Sequence, residues 1–181
     1  MKNALVLHGT SGYSSGNWFP WLKKELAKHG YKVWVPNLPK ADKPNLKRYN
    51  EYIFKNWKFN KDSIIIGHSS GAVAILGILQ DLPPEIVINK AFLVAGFTTD
   101  LGWEPLKELF TRPIDWEKIK KRAHQFVLFH SDNDPYVPMW QGKKLRDLLF
   151  AKLIILKNQG HFNVSSNPKF IQFPKLLQLI V

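Results

Sequence analysis

The stretch Ile64-Ile65-Ile66-Gly67-His68-Ser69-Ser70-Gly71-Ala72 decides the fold of this chain. An apolar run ends in the pattern Gly-x-Ser-x-Gly, and apolar residues at helical spacing follow from Val73 to Leu79. This pattern is typical of a nucleophile elbow, a sharp strand-to-helix turn that lifts a serine hydroxyl clear of a sheet. Glycines flank the serine because strand and helix cross too closely to admit a Cβ. The stretch therefore predicts that Ser69 is an exposed nucleophile at the start of a helix.

Short apolar runs alternate with helical patterns along the rest of the chain. The runs do not alternate strictly with polar residues, as is typical of strands covered on both faces: Ala4–Leu7, Lys32–Val35, Ser63–Ile66, Ala91–Ala95, Phe126–Phe129 and Lys152–Leu156. The helical patterns span Trp18–His29, Leu46–Asn56, Ser70–Asp81, Asp115–Arg122, Gln141–Leu149 and Pro168–Ile180. This alternation predicts a three-layer α/β fold, with a six-stranded, mostly parallel sheet and helices on both faces.

The domain organisation is expected to be simple. The chain has 181 residues, which suits one domain spanning residues 1–181, and no linker, repeat or low-complexity tract divides it. Residues 96–115 form the longest segment without a clear strand or long helix. This segment is rich in aromatic and aliphatic residues, so it can fold over a site as a small lid or form an ordinary long loop.

Composition excludes several classes of function. With no cysteine, the chain has no disulfide framework, thiolate metal site or cysteine nucleophile. The formal net charge is +12, but the lysines are scattered and no nucleic-acid-binding signature appears, so we expect a lysine-rich surface and no nucleic-acid partner. No signal peptide or membrane-spanning run is visible, so we expect a cytoplasmic protein without stable membrane insertion. The sequence leaves the oligomeric state open and slightly favours a monomer.

A serine hydroxyl needs an adjacent base, and polar groups after the later strands supply candidates. Ligands of open α/β sheets bind beyond the carboxyl ends of the strands. His161 follows the last apolar run, and imidazole titrates near neutral pH. A carboxylate should fix the imidazole tautomer, and Asp134 follows the preceding run. The chain order of serine, acid and histidine is that of α/β-hydrolases.

Three aspartates compete for the role of the acid. We favour Asp134 because the segment Asp134-Pro135-Tyr136-Val137-Pro138 has the hydrolase spacing of an acid before two residues and Val-Pro. Asp132 is the second choice, since its position favours a local bond that caps the turn. Asp100, after the fourth apolar run, is the third.

The remaining site residues follow from the chemistry of acyl transfer. An oxyanion requires fixed donors, for which we predict the backbone N–H groups of Thr10 and Ser70. The substrate pocket is expected to contain Trp18, Phe97 and Trp103. We expect no cofactor and no metal, although a metal site is conceivable from His130, Asp132, Asp134 and His161. His8 is expected to pack beside the first loop, and His68 to fill the variable position of the elbow.

Over nearly its whole length the chain resembles the small serine hydrolases of the retinoblastoma-binding protein nine type, in the α/β-hydrolase superfamily. The matching segments are His8-Gly9, Asn17–Leu26, Asn37-Leu38-Pro39, Ile65–Ala72, Thr99–Gly102, Phe110–Pro113, Trp116–Ile119, Asp132–Pro135 and Gly160–Phe162. The resemblance implies a compact hydrolase lacking the first two strands of larger relatives, with strand order 2-1-3-4-5-6 and a triad of Ser69, Asp134 and His161. The resemblance does not indicate which substrate the chain acts on. The namesake's partner binding does not carry over, because a chain without cysteine has no Leu-x-Cys-x-Glu motif.

We therefore expect a serine hydrolase, carboxylesterase-like, that cleaves an ester, thioester or amide of a small apolar acyl group through an acyl-enzyme. The alternative is a binding or regulatory module that keeps the fold without turnover, since a fold does not determine a function. The expected partner is a small-molecule acyl substrate.

Overall fold

Six parallel strands form one sheet in the computed structural model, which describes residues 1–181. The strands are β1 (Asn3–Leu7), β2 (Lys32–Trp34), β3 (Ser63–His68), β4 (Ile88–Val94), β5 (Ala123–Ser131) and β6 (Lys152–Leu156). Their order across the sheet is β2-β1-β3-β4-β5-β6, and every neighbouring pair is parallel. The predicted fold class and strand order are confirmed.

Six α-helices and two short 3₁₀ helices connect and flank the strands. The α-helices are α1 (Phe19–Lys28), α2 (Leu46–Asn56), α3 (Ser70–Asp81), α4 (Trp116–Lys120), α5 (Met139–Leu149) and α6 (Pro174–Ile180). The 3₁₀ helices are Glu104–Phe110 and Pro168–Ile171. None of the helices has both the length and the apolar character needed to cross a bilayer.

The strands bury both faces, which explains their continuous apolar runs. Along β3, Ile64 and Ile66 face the cluster that α1 and α6 cover, whereas Ile65 faces the larger cluster under α2, α3, α4 and α5. Each buried isoleucine side chain contributes roughly 1.5–3 kcal/mol relative to an exposed one. The two apolar clusters cover both faces of the central strands, and the turn that carries Ser69 follows the end of β3.

The C-terminal helix differs from the one that the periodicity predicts, and residues 96–115 contain a 3₁₀ helix. The pattern over 168–180 is interrupted: a 3₁₀ helix ends at Ile171, Gln172 and Phe173 are extended or irregular, and α6 begins at Pro174. Proline fits the first turn of a helix because it lacks a backbone N–H. Within 96–115, the 3₁₀ helix buries Leu106 and Leu109 against the larger cluster, whereas the side chain of Trp103 stays half-exposed.

Candidate active site

Ser69 occupies the sharp turn between β3 and α3. Its backbone has φ 57° and ψ −124°, a conformation that a non-glycine residue adopts only when its surroundings hold it there. The Ser69 N–H donates to the carbonyl oxygen of Val94 at 2.8 Å, which ties the turn to the end of β4. The strained turn presents the serine side chain at the carboxyl edge of the sheet.

The glycines around Ser69 permit the close packing of the turn. A Cβ on Gly67 would lie 2.6 Å from the carbonyl carbon of Gly71, and a Cβ on Gly71 would lie 2.5 Å from the carbonyl oxygen of His8. A Cβ on Gly9 would lie 2.9 Å from the Cβ of Ser69. Real Cβ atoms do not approach so closely, so glycine is required at all three positions.

Asp134 and His161 meet at the same edge, from the loops after β5 and β6. Nδ1 of His161 lies 2.8 Å from Oδ2 of Asp134, with side chains 8% and 0% exposed. The other carboxylate oxygen, Oδ1, accepts the N–H groups of Tyr136 at 2.9 Å and Val137 at 3.0 Å. Because a carboxylate only accepts, Nδ1 carries a proton and Nε2 is the nitrogen left to act as a base.

Burial alone would raise the pKa of Asp134, because it disfavours the charged form. The hydrogen bond and charge of His161 and the two backbone N–H groups outweigh burial, so the pKa lies below its ordinary value. Asp134 is therefore ionised at neutral pH, as an orienting carboxylate must be.

Ser69 and His161 line one cavity of about 510 Å³. The other lining residues are Thr10, Phe97, Leu101, Trp103, Leu106, Pro135, Tyr136, Val137 and Asn163. No hydrogen bond joins the Ser69 hydroxyl to the His161 ring. In enzymes without bound substrate such contacts are commonly long and tighten when substrate binds.

Of the three side chains predicted for the pocket, Phe97 and Trp103 line the cavity and Trp18 does not. Trp18 is completely buried between α1 and the C-terminal segment, where its Nε1–H donates to the carbonyl oxygen of Phe162 at 3.0 Å. Its ring packs at 5.6 Å from that of Phe173. The prediction for Trp18 was wrong, because an apolar helix start gives no sign of which layer will cover it.

Thr10 lines the same cavity as Ser69, and its Oγ1 donates to the Oγ of Ser70, the next residue after Ser69, at 2.9 Å. The Ser70 N–H belongs to the first turn of α3 and has no acceptor within its helix. Neither the Thr10 N–H nor the Ser70 N–H takes part in a loop, turn or side-chain hydrogen bond. The Thr10 and Ser70 N–H groups are therefore two donors without an acceptor in the protein.

The other two candidates for the acid, Asp132 and Asp100, accept backbone N–H groups of loops and do not bond to the His161 ring. Asp132 is exposed and accepts the N–H of Asn158 at 2.7 Å. Asp100 accepts the N–H of Gly102 at 3.0 Å. The four residues considered for a metal do not form a group of side chains placed to share one ion.

Three other histidines are buried near the site. His8 accepts the N–H of Leu38 on Nε2 at 3.0 Å and contacts the Gly9 carbonyl, and burial lowers its pKa. His130 has no partner on either ring nitrogen, and burial lowers its pKa to about 4. His68 donates from Nε2 to the carbonyl oxygen of His161 at 2.7 Å, a contact that sequence reasoning missed.

Tyr136 is a second residue that sequence reasoning missed. Its ring lies edge-on to the His161 ring at 5.0 Å, and 6.3 Å from the ring of Trp103. The only sequence feature that could have indicated a role for Tyr136 is its position between the candidate acid Asp134 and Val137. The rings of Tyr136 and Trp103 thus form an aromatic wall beside the imidazole.

Comparison with known proteins identifies the family. The family model described as serine hydrolase matches residues 4–180. The rat protein serine hydrolase RBBP9 is 29% identical over 177 residues, covering 95% of this chain and 93% of the relative. YdeN of Bacillus subtilis (strain 168) is 29% identical over 163 residues, covering 89% and 86% of the two chains.

Solved structures agree with this relationship. The crystal structure of the Bacillus subtilis ydeN gene product superposes with a TM-score of 0.92 at 27% identity, covering 99% of this chain and 97% of the other. Est1E of Butyrivibrio proteoclasticus with bound ferulic acid gives a TM-score of 0.70 at 14% identity over 100% and 90% of the chains, which shows a shared fold. The elbow, the parallel sheet and the family match lead to one conclusion: the chain belongs to the serine hydrolase family.

Proposed function

We propose that the chain hydrolyses acyl esters through a triad of Ser69, His161 and Asp134. The observation that carries this proposal is the Asp134–His161 hydrogen bond of 2.8 Å beside the cavity that Ser69 also lines. The elbow supplies the nucleophile, and the ionised carboxylate holds the imidazole with Nε2 free to accept a proton.

The reaction follows the two steps of acyl transfer. The Ser69 hydroxyl attacks the substrate carbonyl while His161 Nε2 takes its proton, and the protonated imidazole then gives that proton to the departing alcohol. Water attacks the resulting acyl-enzyme, again losing a proton to His161. The proton returns to Ser69 as the carboxylic acid leaves, so the enzyme is regenerated.

The backbone N–H groups of Thr10 and Ser70 serve as the oxyanion hole in this proposal. The support for this assignment is that Thr10 lines the cavity with Ser69, that Ser70 follows Ser69 in the chain, and that neither N–H donates a hydrogen bond within the protein. Donors fixed before the reaction stabilise developing charge without reorganising, and removing one such donor in a serine protease costs about 10²–10³ in kcat.

The cavity lining favours a small, neutral, apolar acyl group. None of the lining residues is an aspartate, glutamate, lysine or arginine, and most of the lining side chains are aliphatic or aromatic. A charged acyl group would lose its hydration there without gaining a partner. The volume of about 510 Å³ lies within the range of small-molecule sites.

A panel of p-nitrophenyl esters of increasing chain length, measured beside matched amides and thioesters, tests the proposal. We expect turnover of neutral short and medium acyl esters and poor turnover of a mono-ester that carries a free carboxylate. Replacing Trp103 by Ala should raise KM for the longer chains by several-fold, since its ring lines the cavity. Trp140→Ala is the matched control, because Trp140 is equally exposed but does not line the cavity. Equal turnover of charged and neutral acyl groups would contradict the assignment of substrate class.

A further inference from the structure

The residues just before Asp134 hold the loop that carries His161. Parallel pairing of β5 with β6 ends at Ser131 and Leu156. Beyond that point, side chains of the loop after β5 take over as acceptors for the backbone of the loop after β6. Oδ1 of Asp132 accepts the N–H of Asn158 at 2.7 Å, and Oγ of Ser131 accepts the N–H of Gln159 at 2.9 Å.

Asn133 completes this series. Its Oδ1 accepts the N–H of Gly160 at 2.8 Å and also the hydroxyl hydrogen of Ser131 at 2.8 Å. Three consecutive backbone N–H groups, at 158, 159 and 160, are thus held by three consecutive side chains, and the next pair is Asp134 with the His161 ring. We call Ser131, Asp132 and Asn133 the loop clamp.

The loop that the clamp holds is conformationally strained. Asn158, Gly160 and Phe162 all have positive φ, of 56°, 58° and 54°. Asparagine tolerates this region, but phenylalanine adopts it only when neighbouring contacts impose it. Non-glycine residues persist in this region only where the surrounding structure holds them there. The clamp supplies those bonds at the three positions before His161.

We propose that Ser131, Asp132 and Asn133 are positioning residues, which act through the loop to keep His161 in register with Asp134. This inference rests on the proposed function, in which His161 is the base. None of the three side chains lines the cavity, so their loss should lower kcat and leave KM nearly unchanged. A misplacement of the imidazole by about 1 Å can cost about 10²-fold in rate.

Four variants separate positioning from general stability. Ser131→Ala removes two of the hydrogen bonds with the loss of one oxygen atom, and Asn133→Ala removes the acceptor for Gly160. Ser131→Thr and Asn133→Asp keep the acceptor atoms and should recover most of the rate. Asn60→Ala is the matched control, because Oδ1 of Asn60 accepts the N–H of Asp62 at 2.8 Å in a turn before β3, at the opposite edge of the sheet.

Two readouts are measured on each variant. In steady-state hydrolysis of a p-nitrophenyl ester, we expect kcat of Ser131→Ala and Asn133→Ala to fall by about tenfold to a hundredfold, with KM within about twofold. In proton NMR, the strongly downfield signal of an imidazole Nδ1–H bonded to a carboxylate should weaken or disappear in both variants. It should persist in Ser131→Thr and Asn60→Ala. Thermal unfolding of each variant identifies any loss of folding.

The NMR readout needs no turnover, so it stands apart from the proposed function. If the downfield signal and kcat of folded Ser131→Ala and Asn133→Ala match those of Asn60→Ala, the positioning proposal is wrong. If wild type neither hydrolyses esters nor reacts with a fluorophosphonate, the proposed function is wrong. In that case the downfield Nδ1–H signal, compared between the clamp variants and Asn60→Ala, decides whether the clamp positions the imidazole.

Discussion

Nε2 of His68 donates a hydrogen bond of 2.7 Å to the backbone carbonyl oxygen of His161. The residue before Ser69 thereby holds the main chain of His161, the proposed base. Burial, with a smaller contribution from the nearby His161, lowers the pKa of His68 to about 3, so the ring is neutral at working pH. The two rings pack with their centroids 4.8 Å apart. The turn at Ser69 and the loop that carries His161 are therefore joined by a hydrogen bond and by ring packing.

Replacing His68 tests this connection. His68→Leu removes the donor and should lower kcat by about fivefold, the effect of losing a bond worth about 1 kcal/mol. His68→Gln keeps an N–H donor on a side chain of similar reach and should lose less. Ester kinetics of the two variants measure the difference. Equal losses would mean that packing of the ring, and not the bond to His161, is what matters.

Replacing Asp134 and Asp132 in turn tests which aspartate orients the His161 ring. Asp134→Asn should lower kcat by about four orders of magnitude, because an amide no longer fixes the tautomer of His161, as observed for the equivalent carboxylate in serine proteases. Asp132→Asn should cost less than about tenfold, since the amide oxygen can still accept the N–H of Asn158. Steady-state ester hydrolysis measures both. The reverse order of effects would reassign the acid.

Gly9 limits the space around Ser69. A methyl group there would lie 2.9 Å from the Ser69 Cβ and 3.4 Å from its Oγ. Gly9→Ala should therefore displace the serine and slow its reaction with a fluorophosphonate by at least about tenfold. Gly16→Ala is the control, because its methyl group would meet only ordinary contacts of 3.4 Å with Tyr13. Unchanged labelling of Gly9→Ala would show that the turn can shift at no cost to reactivity.

The buried histidines make stability depend on pH in a defined direction. Burial lowers the pKa of His130 to about 4, below the unfolded value of about 6.5, so the unfolded chain binds more protons between these values. The free energy of unfolding must then fall as the pH falls from about 6.5 to about 4, by up to about 1.4 kcal/mol per pH unit for this residue. His68 acts in the same direction.

His130→Leu should remove the part of this pH dependence that His130 contributes. Both of its ring nitrogens lack partners, so an apolar replacement should cost little stability at neutral pH. Urea unfolding between pH 4 and pH 7 should give a shallower dependence for His130→Leu than for wild type. His124→Gln is the control, because His124 is exposed. Parallel curves for wild type and His130→Leu would contradict the assignment of a depressed pKa.

Local patterns made much of this architecture predictable. The strand, turn and helix around Ser69 lie within one short stretch, where glycines mark the positions at which a Cβ would overlap the backbone. The neighbouring loops after β5 and β6 made the contact between Asp134 and His161 foreseeable, since parallel strands end at one edge.

Contacts between distant segments were not predictable from local patterns. Trp18 looks as suitable for a pocket as Phe97 does, and only the packing of α1 against the C-terminal segment decides that it is buried. The clamp contacts of Ser131 and Asn133 depend on two loops meeting in three dimensions. Small polar residues after a strand indicate such bonds but not their partners.

Fluorophosphonate labelling followed by mass spectrometry of the modified peptide tests the central claim most directly. The account predicts that wild type is labelled on Ser69, that Ser69→Ala is not labelled, and that His161→Ala is labelled far more slowly. A well-folded wild-type protein that stays unlabelled, or one labelled equally fast without His161, would contradict it and favour a binding module with the hydrolase fold.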